Sequence, residues 1–244
     1  MMNWVEQIPN EIWTIDEFID DALCKDVLNS MHNSTRKNLV NTDQMSAKLQ
    51  SIGINYNAYD YVIYQYDIRK ASHIISAIAD SLDIVLSKYG QSAPRENLNA
   101  MQCFVKSFGQ HSHYDLHTES KTKYGDWAFI HFLSDEDSGD LIFPDQQMVD
   151  GYLKDNPDQV QVYQDNVDLL ASFGEQSTTV GPFVMKPRYN HCILFRTGSA
   201  HWANTISTVN GLTRPTITGW PHASQQMLSD LNRNCNINEN FGHG

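Results

Sequence analysis

The sequence predicts a mainly β domain, a β-sandwich or jelly roll, with N-terminal helices packed on the outside of one sheet. Three observations predict it. Between Met101 and Trp220 short apolar runs recur at close spacing, each ended by a turn signal, as in all-β sandwiches and barrels. Between about Lys70 and Tyr89 the apolar residues repeat instead at helical spacing. The composition, 41% hydrophobic and 19% charged, suits a chain that buries a sizeable core. The 244 residues are read as one domain: a helical part over about 12–90, a jelly-roll core over about 99–222, and an insertion at about 145–177.

In chain order, Ile12 to Ile19 reads as a short strand turning into a helix over Asp20 to Met31, with Leu23, Val27, Leu28 and Met31 on one side. The stretch from Asn33 to about Asn57 is polar and without period. Tyr61 to Tyr66 has strand composition. The helix at about Lys70 to Tyr89 carries Ile74, Ile75, Ile78, Leu82, Val85 and Leu86 on one face, and Gly90 stops it. Strands follow at Met101–Phe108, broken by Gly109-Gln110, and at Tyr114–Glu119, Trp127–Leu133 and Asp140–Phe143, the last ended by Pro144. Thr179–Met185, Cys192–Arg196, Ala203–Ser207 and Thr213–Trp220 complete the set. Trp127, Phe129, Phe132, Phe143 and Phe195 read as core. The acidic, polar insertion, with a helix around Tyr163 to Phe173, reads as a lid. The Asn-rich tail after Ser224 reads as a cap that frays at its end.

The net charge of -12 argues against a nucleic-acid backbone as main partner, because phosphate binding needs a basic face. No apolar run approaches the ~18 residues of a membrane span, and the N-terminus lacks the basic and apolar regions of a signal peptide. Cys24, Cys103, Cys192 and Cys235 are far apart and form no CxxC pair. Reduced thiols in a cytoplasmic protein are expected.

The chemistry-bearing stretch is His117-Thr118-Glu119, with His201 far downstream. A histidine and a carboxylate two residues apart on a strand share a face, and a histidine from a later strand can complete a set of three metal ligands. Two imidazoles and one carboxylate suit a ferrous ion with open positions. A rival pair, His113-Tyr114-Asp115, sits four residues earlier with the same spacing, so spacing and chemistry do not choose between them.

The order of features from Met101 onward resembles a known family. Phe108-Gly109, His117-Thr118-Glu119, the run Phe129 to Asp135, Ser138-Gly139-Asp140 through Phe143-Pro144, Pro187 to Phe195, His201, Gly211-Leu212-Thr213-Arg214 and Trp220 appear in sequence. Together they look like the Fe(II)/2-oxoglutarate-dependent dioxygenases of the prolyl 4-hydroxylase-like superfamily, as does Ile15 to Ile19 before the first helix. The resemblance implies a double-stranded β-helix. It also implies His117, Glu119 and His201 as ligands of Fe(II), 2-oxoglutarate and O2 as co-substrates, and Arg214 on the distal carboxylate of 2-oxoglutarate, aided by Thr216 and Thr218. The family usually carries aspartate where this chain has Glu119. The distance to the Ser138-Gly139 turn favours His117 and Glu119 over His113 and Asp115. Phe132 lies where some relatives carry a tyrosine that binds the co-substrate, and Tyr114 and Tyr124 are its possible substitutes. Asn190 belongs to a structural turn, and Asp135, Glu136 and Asp137 to a solvated loop.

The implied reaction hydroxylates a C–H bond in an amino acid, free or peptidyl, proline being the family default. Two other readings stand beside it. A nucleic-acid demethylase of the same superfamily usually has a second arginine six residues after the first, where this chain has Trp220. A non-catalytic metal- or carbohydrate-binding jelly roll would not need Arg214 beside the metal. The sequence leaves the oligomeric state open.

Overall fold

The strands expected between Met101 and Trp220 form with altered bounds, Glu119 lying just past the end of its strand and His201–Ala203 standing in place of Ala203–Ser207, and they divide between two antiparallel sheets. The computed structural model describes residues 3–33, 37–39, 61–64, 72–95, 103–108, 113–135, 137–207 and 214–224. Most of the polar stretch after Asn33, the Gly109-Gln110 break, 211–213 and the tail from Gln225 lie outside them. N-terminal to the expected strands stand β1 (Val5–Ile8), β2 (Ile12–Ile15), α1 (Asp21–Asn33), β3 (Lys37–Leu39), β4 (Tyr61–Tyr64) and α2 (Ser72–Leu86). Then come β5 (Phe104–Phe108), β6 (Tyr114–His117), α3 (Lys121–Tyr124), β7 (Trp127–Phe132) and β8 (Leu141–Phe143). The insertion holds α4 (Gln146–Asp155) and α5 (Gln159–Ser172), and β9 (Phe183–Met185), β10 (His191–Arg196), β11 (His201–Ala203) and β12 (Arg214–Gly219) close the order.

The larger sheet runs β1-β2-β10-β7-β12-β5-β4-β3 and the smaller β6-β11-β8-β9. Of the consecutive strands β5 to β12, four lie in each sheet. Period two decides which side chains go where. On β7 and β10, Ala128, Phe132, Ile193 and Phe195 join Leu141, Phe143, Met185 and Ala203 of the smaller sheet in the core between the sheets. Their alternates, Trp127, Phe129, Cys192 and Leu194, turn to the other face and meet the helices.

That outer face of the larger sheet is covered by α1 and α2, as expected. Ile74, Ile75, Ile78, Leu82, Val85 and Leu86 are all buried there. Six such side chains contribute on the order of 10 kcal/mol of burial, an upper bound because unfolded chains already hide some surface. Gly90 takes the left-handed conformation (φ 70°) at the stop, a region glycine enters without cost.

The insertion is not a lid. It packs on the outer face of the smaller sheet, where Val149 with Met148, Tyr152, Leu153 and Tyr163 covers Leu116, Ile142, Ala200 and Trp202. Those sheet residues are apolar on the side away from the core between the sheets, so they need a cover, and the insertion supplies it. Among the described residues no helix is long and apolar enough to cross a membrane.

Candidate metal centre

The centre is built where β6 lies beside β11. His201, at the start of β11, pairs directly with His117 at the end of β6, and their rings are 4.4 Å apart between centroids. Three residues of β6 then span two of β11, since Ala203 pairs with Tyr114. This bulge adds one residue and reverses the parity of the strand. Tyr114 and His117 therefore both face the cavity between the sheets, while Asp115 and Leu116 face outward. His117, Glu119 and His201 each offer one ligand atom, all within 4.8 Å of one another, so the three can hold a metal ion.

Each ligand is oriented by a second group. His117 Nδ1 lies 2.7 Å from the Asp115 carbonyl, and His201 Nδ1 lies 2.9 Å from the Ser199 carbonyl. A carbonyl only accepts, so both Nδ1 atoms carry the proton and both Nε2 atoms keep the lone pair a metal needs. His201 is 4% exposed, stacked on Phe143 and edge-on to Phe195. Burial, and then repulsion from His117, pull its pKa down to about 3, although its hydrogen bond to Ser199 opposes them. It is neutral, as a ligand must be. The Trp220 indole donates to Glu119 Oε2 at 2.8 Å, which holds the carboxylate in one orientation.

The same cavity is lined by Arg214, Thr216 and Thr218, which alternate on β12, and by Phe108, Ile130 and Phe132. Arg214 is 5% exposed, donates from Nη1 to the Gly139 carbonyl at 2.5 Å, and sits over the Phe108 and Phe132 rings. Gly139 has φ 78°, and a Cβ there would lie 2.6 Å from Arg214 Nη1, so only glycine lets the guanidinium pass. Thr216 Oγ1 is buried with no hydrogen-bond partner among the described residues. Tyr114 lines the cavity; Tyr124 is buried against Trp220, with rings 5.0 Å apart, and is not among the lining residues.

The rival pair lies elsewhere. His113 and Asp115 line an outer hollow beside α4, where Asp115 meets His113 at 3.6 Å and accepts from the Tyr152 hydroxyl at 3.3 Å. Another surface cleft also lies apart from the centre, between β1–β2 and β9, and is lined by Asp16, Glu17, Asp20, Lys186 and Arg188. It is open to solvent and contains none of the three ligands.

No protein-family model matches the chain, and no curated protein matches it. Solved structures do. A prolyl-4-hydroxylase from Pseudomonas putida is 9% identical, over 88% of this chain and 94% of its own, with a TM-score of 0.46. A Trichoplax adhaerens prolyl hydroxylase, in complex with a peptide fragment of the hypoxia inducible factor oxygen degradation domain, is 12% identical over 90% and 86%, with a TM-score of 0.47. HygX from Streptomyces hygroscopicus, with nickel and 2-oxoglutarate bound, is 10% identical over 86% and 83%, with a TM-score of 0.43.

Trp220 and Gly139 stand among the features that carry the resemblance, but their contacts at the centre are not legible in sequence, and Asn166 belongs to no motif. Each acts through a partner 48 to 101 positions away.

Proposed function

We propose that this chain is an Fe(II)- and 2-oxoglutarate-dependent dioxygenase that hydroxylates a C–H bond of an amino acid, peptidyl or free, such as proline. His117, Glu119 and His201 hold the ferrous ion, and a set of two imidazoles and one carboxylate leaves positions for 2-oxoglutarate and O2. The observation that carries the reading is a pair of histidines whose Nδ1 atoms donate to backbone carbonyls, with a glutamate beside them, facing the same cavity as a buried arginine.

Arg214 takes the distal carboxylate of 2-oxoglutarate, for which a guanidinium offers two parallel donors. The Thr216 hydroxyl, which has no partner among the described residues, donates to the same carboxylate, with Thr218 on the same side of β12. Phe108, Ile130 and Phe132 keep water from the co-substrate. Bound iron and 2-oxoglutarate supply the oxidising chemistry, which uses O2 and yields succinate, carbon dioxide and the hydroxylated product. The chain's own task is placement and dryness. The alternation of β5 to β12 between two sheets supports a double-stranded β-helix as the scaffold, within a single domain. The cytoplasm suits the free thiols of Cys24, Cys103 and Cys192.

The test is succinate formation from 2-oxoglutarate with added Fe(II), alongside a screen of amino acids and peptides for the mass gain of one oxygen atom. Turnover should need Fe(II) and vanish in His201→Ala. Succinate formation that persists in that variant would reject the proposal.

A further inference from the structure

One short segment holds the turns on both sides of the metal centre. From α5, Asn166 is 5% exposed and grips the backbone of Thr118, the residue between the two β6-side ligands. Its Oδ1 accepts from the Thr118 N–H at 2.9 Å and its Nδ2 donates to the Thr118 carbonyl at 3.1 Å. Ser177 meets the Thr118 hydroxyl at 2.5 Å. Glu175 accepts from the Ser120 hydroxyl and from the backbone N–H groups of Lys121 and Thr122, at 3.2, 2.9 and 2.7 Å. This fixes the chain just beyond Glu119.

The next residue reaches the other ligand. Thr178 donates from its backbone to the Gly198 carbonyl at 3.0 Å and from its hydroxyl to the same oxygen at 2.8 Å. Its own carbonyl accepts from the Ala200 N–H at 2.8 Å. Thr178 thus brackets Ser199, whose carbonyl orients His201.

We propose that Asn166 and the strap from Glu175 to Thr178 are positioning residues for the metal ligands. This rests on the reading of His117, Glu119 and His201 as a metal centre. The two ligand-bearing segments are far apart in sequence, and the strap makes them one rigid body. A metal site tolerates only about 0.5 Å of error in its ligands, so a body that fixes both backbones sets the affinity. The insertion then serves the centre from behind the smaller sheet.

Cobalt(II) is the probe, titrated calorimetrically into the full-length, metal-free chain, with the unfolding temperature of each variant measured in parallel. Asn166→Ala should weaken Co(II) binding about tenfold or more, the usual cost of losing a group that orients a ligand. Thr178→Val keeps the backbone bonds and removes only the hydroxyl, and should weaken binding several-fold through His201. Should Asn166→Ala fail to fold, Thr178→Val and Ser177→Ala carry the test. Lower unfolding temperatures with unchanged Co(II) affinity would mean a structural role only and would overturn the proposal. A wild-type chain that binds no Co(II) would remove the metal centre itself, and this inference with it.

Discussion

The Trp220 indole N–H points at Glu119 Oε2, 2.8 Å away, across 101 residues of chain. A carboxylate on a two-carbon stem has more rotamers than an aspartate, and this bond selects one. Trp220→Phe keeps the ring beside Tyr124 and removes the donor. Metal affinity should fall roughly tenfold, with little change in unfolding temperature. Titration of Co(II) into both proteins checks it, and equal affinities would show that Glu119 needs no such guide.

The outward turn of Asp115 gives a clean contrast with Glu119. Asp115→Ala removes a carboxylate that faces Tyr152 and His113 behind the smaller sheet, so turnover should change less than about threefold. Glu119→Ala, like His117→Ala, should abolish iron-dependent turnover. An active Glu119→Ala beside a dead Asp115→Ala would move the centre to the rival pair.

Arg214 and Gly139 should separate co-substrate binding from folding. Arg214→Ala should weaken 2-oxoglutarate far more than metal; equal loss of both would deny its assigned role. Gly139→Ala meets a left-handed backbone and the guanidinium at once. It should cost at least about 1–2 kcal/mol of stability, the penalty for a Cβ in that conformation. Denaturant titration reads the loss directly.

Acid should destabilise the metal-free protein through its buried imidazoles. Burial holds His131 neutral, its pKa drawn down from 6.5 to about 3 despite an opposing bond to Asn190. Between those values the unfolded chain binds a proton that the folded chain refuses. Stability is therefore full above about pH 6.5 and falls as pH drops towards 3, by up to about 1.4 kcal/mol per pH unit for each such group. His201 acts in the same direction, while Asp115, whose carboxyl burial raises, acts in the opposite one. Urea unfolding from pH 7 to 4.5 should show a shallower slope for His131→Gln than for wild type; parallel slopes would clear His131 of any part in it.

Much of the architecture was legible because periodicity is a local property. The apolar stripe of α2 and the strands β7, β10 and β12 follow from residues a few positions apart, and so does the cover of helices on one sheet. Four elements escaped, β1, β3, α3 and α4, all short or weakly patterned. β1 is a short edge strand with mostly exposed side chains, and α4 carries Gly151 and few apolar residues. The strand bearing His201 runs His201–Ala203 where the composition indicates Ala203–Ser207, because pairing with His117 fixes its start.

The residue types of the centre were written in the chain: two histidines, a carboxylate between them in order, and an arginine after. Ligand spacing by itself did not choose between Asp115 and Glu119, and only the resemblance favoured Glu119. His113, Asp115, His117 and Glu119 all share one parity along an ideal strand, but β6 covers only Tyr114–His117, and within it the bulge against β11 turns Asp115 outward and His117 in. A bulge is a property of a pair of strands, and its partner here lies more than eighty residues away. The tautomers, the Trp220 bond and the grip of Asn166 are likewise made between segments that meet only when the sheets close. Pattern is carried by neighbours in sequence, and geometry at a centre by neighbours in space.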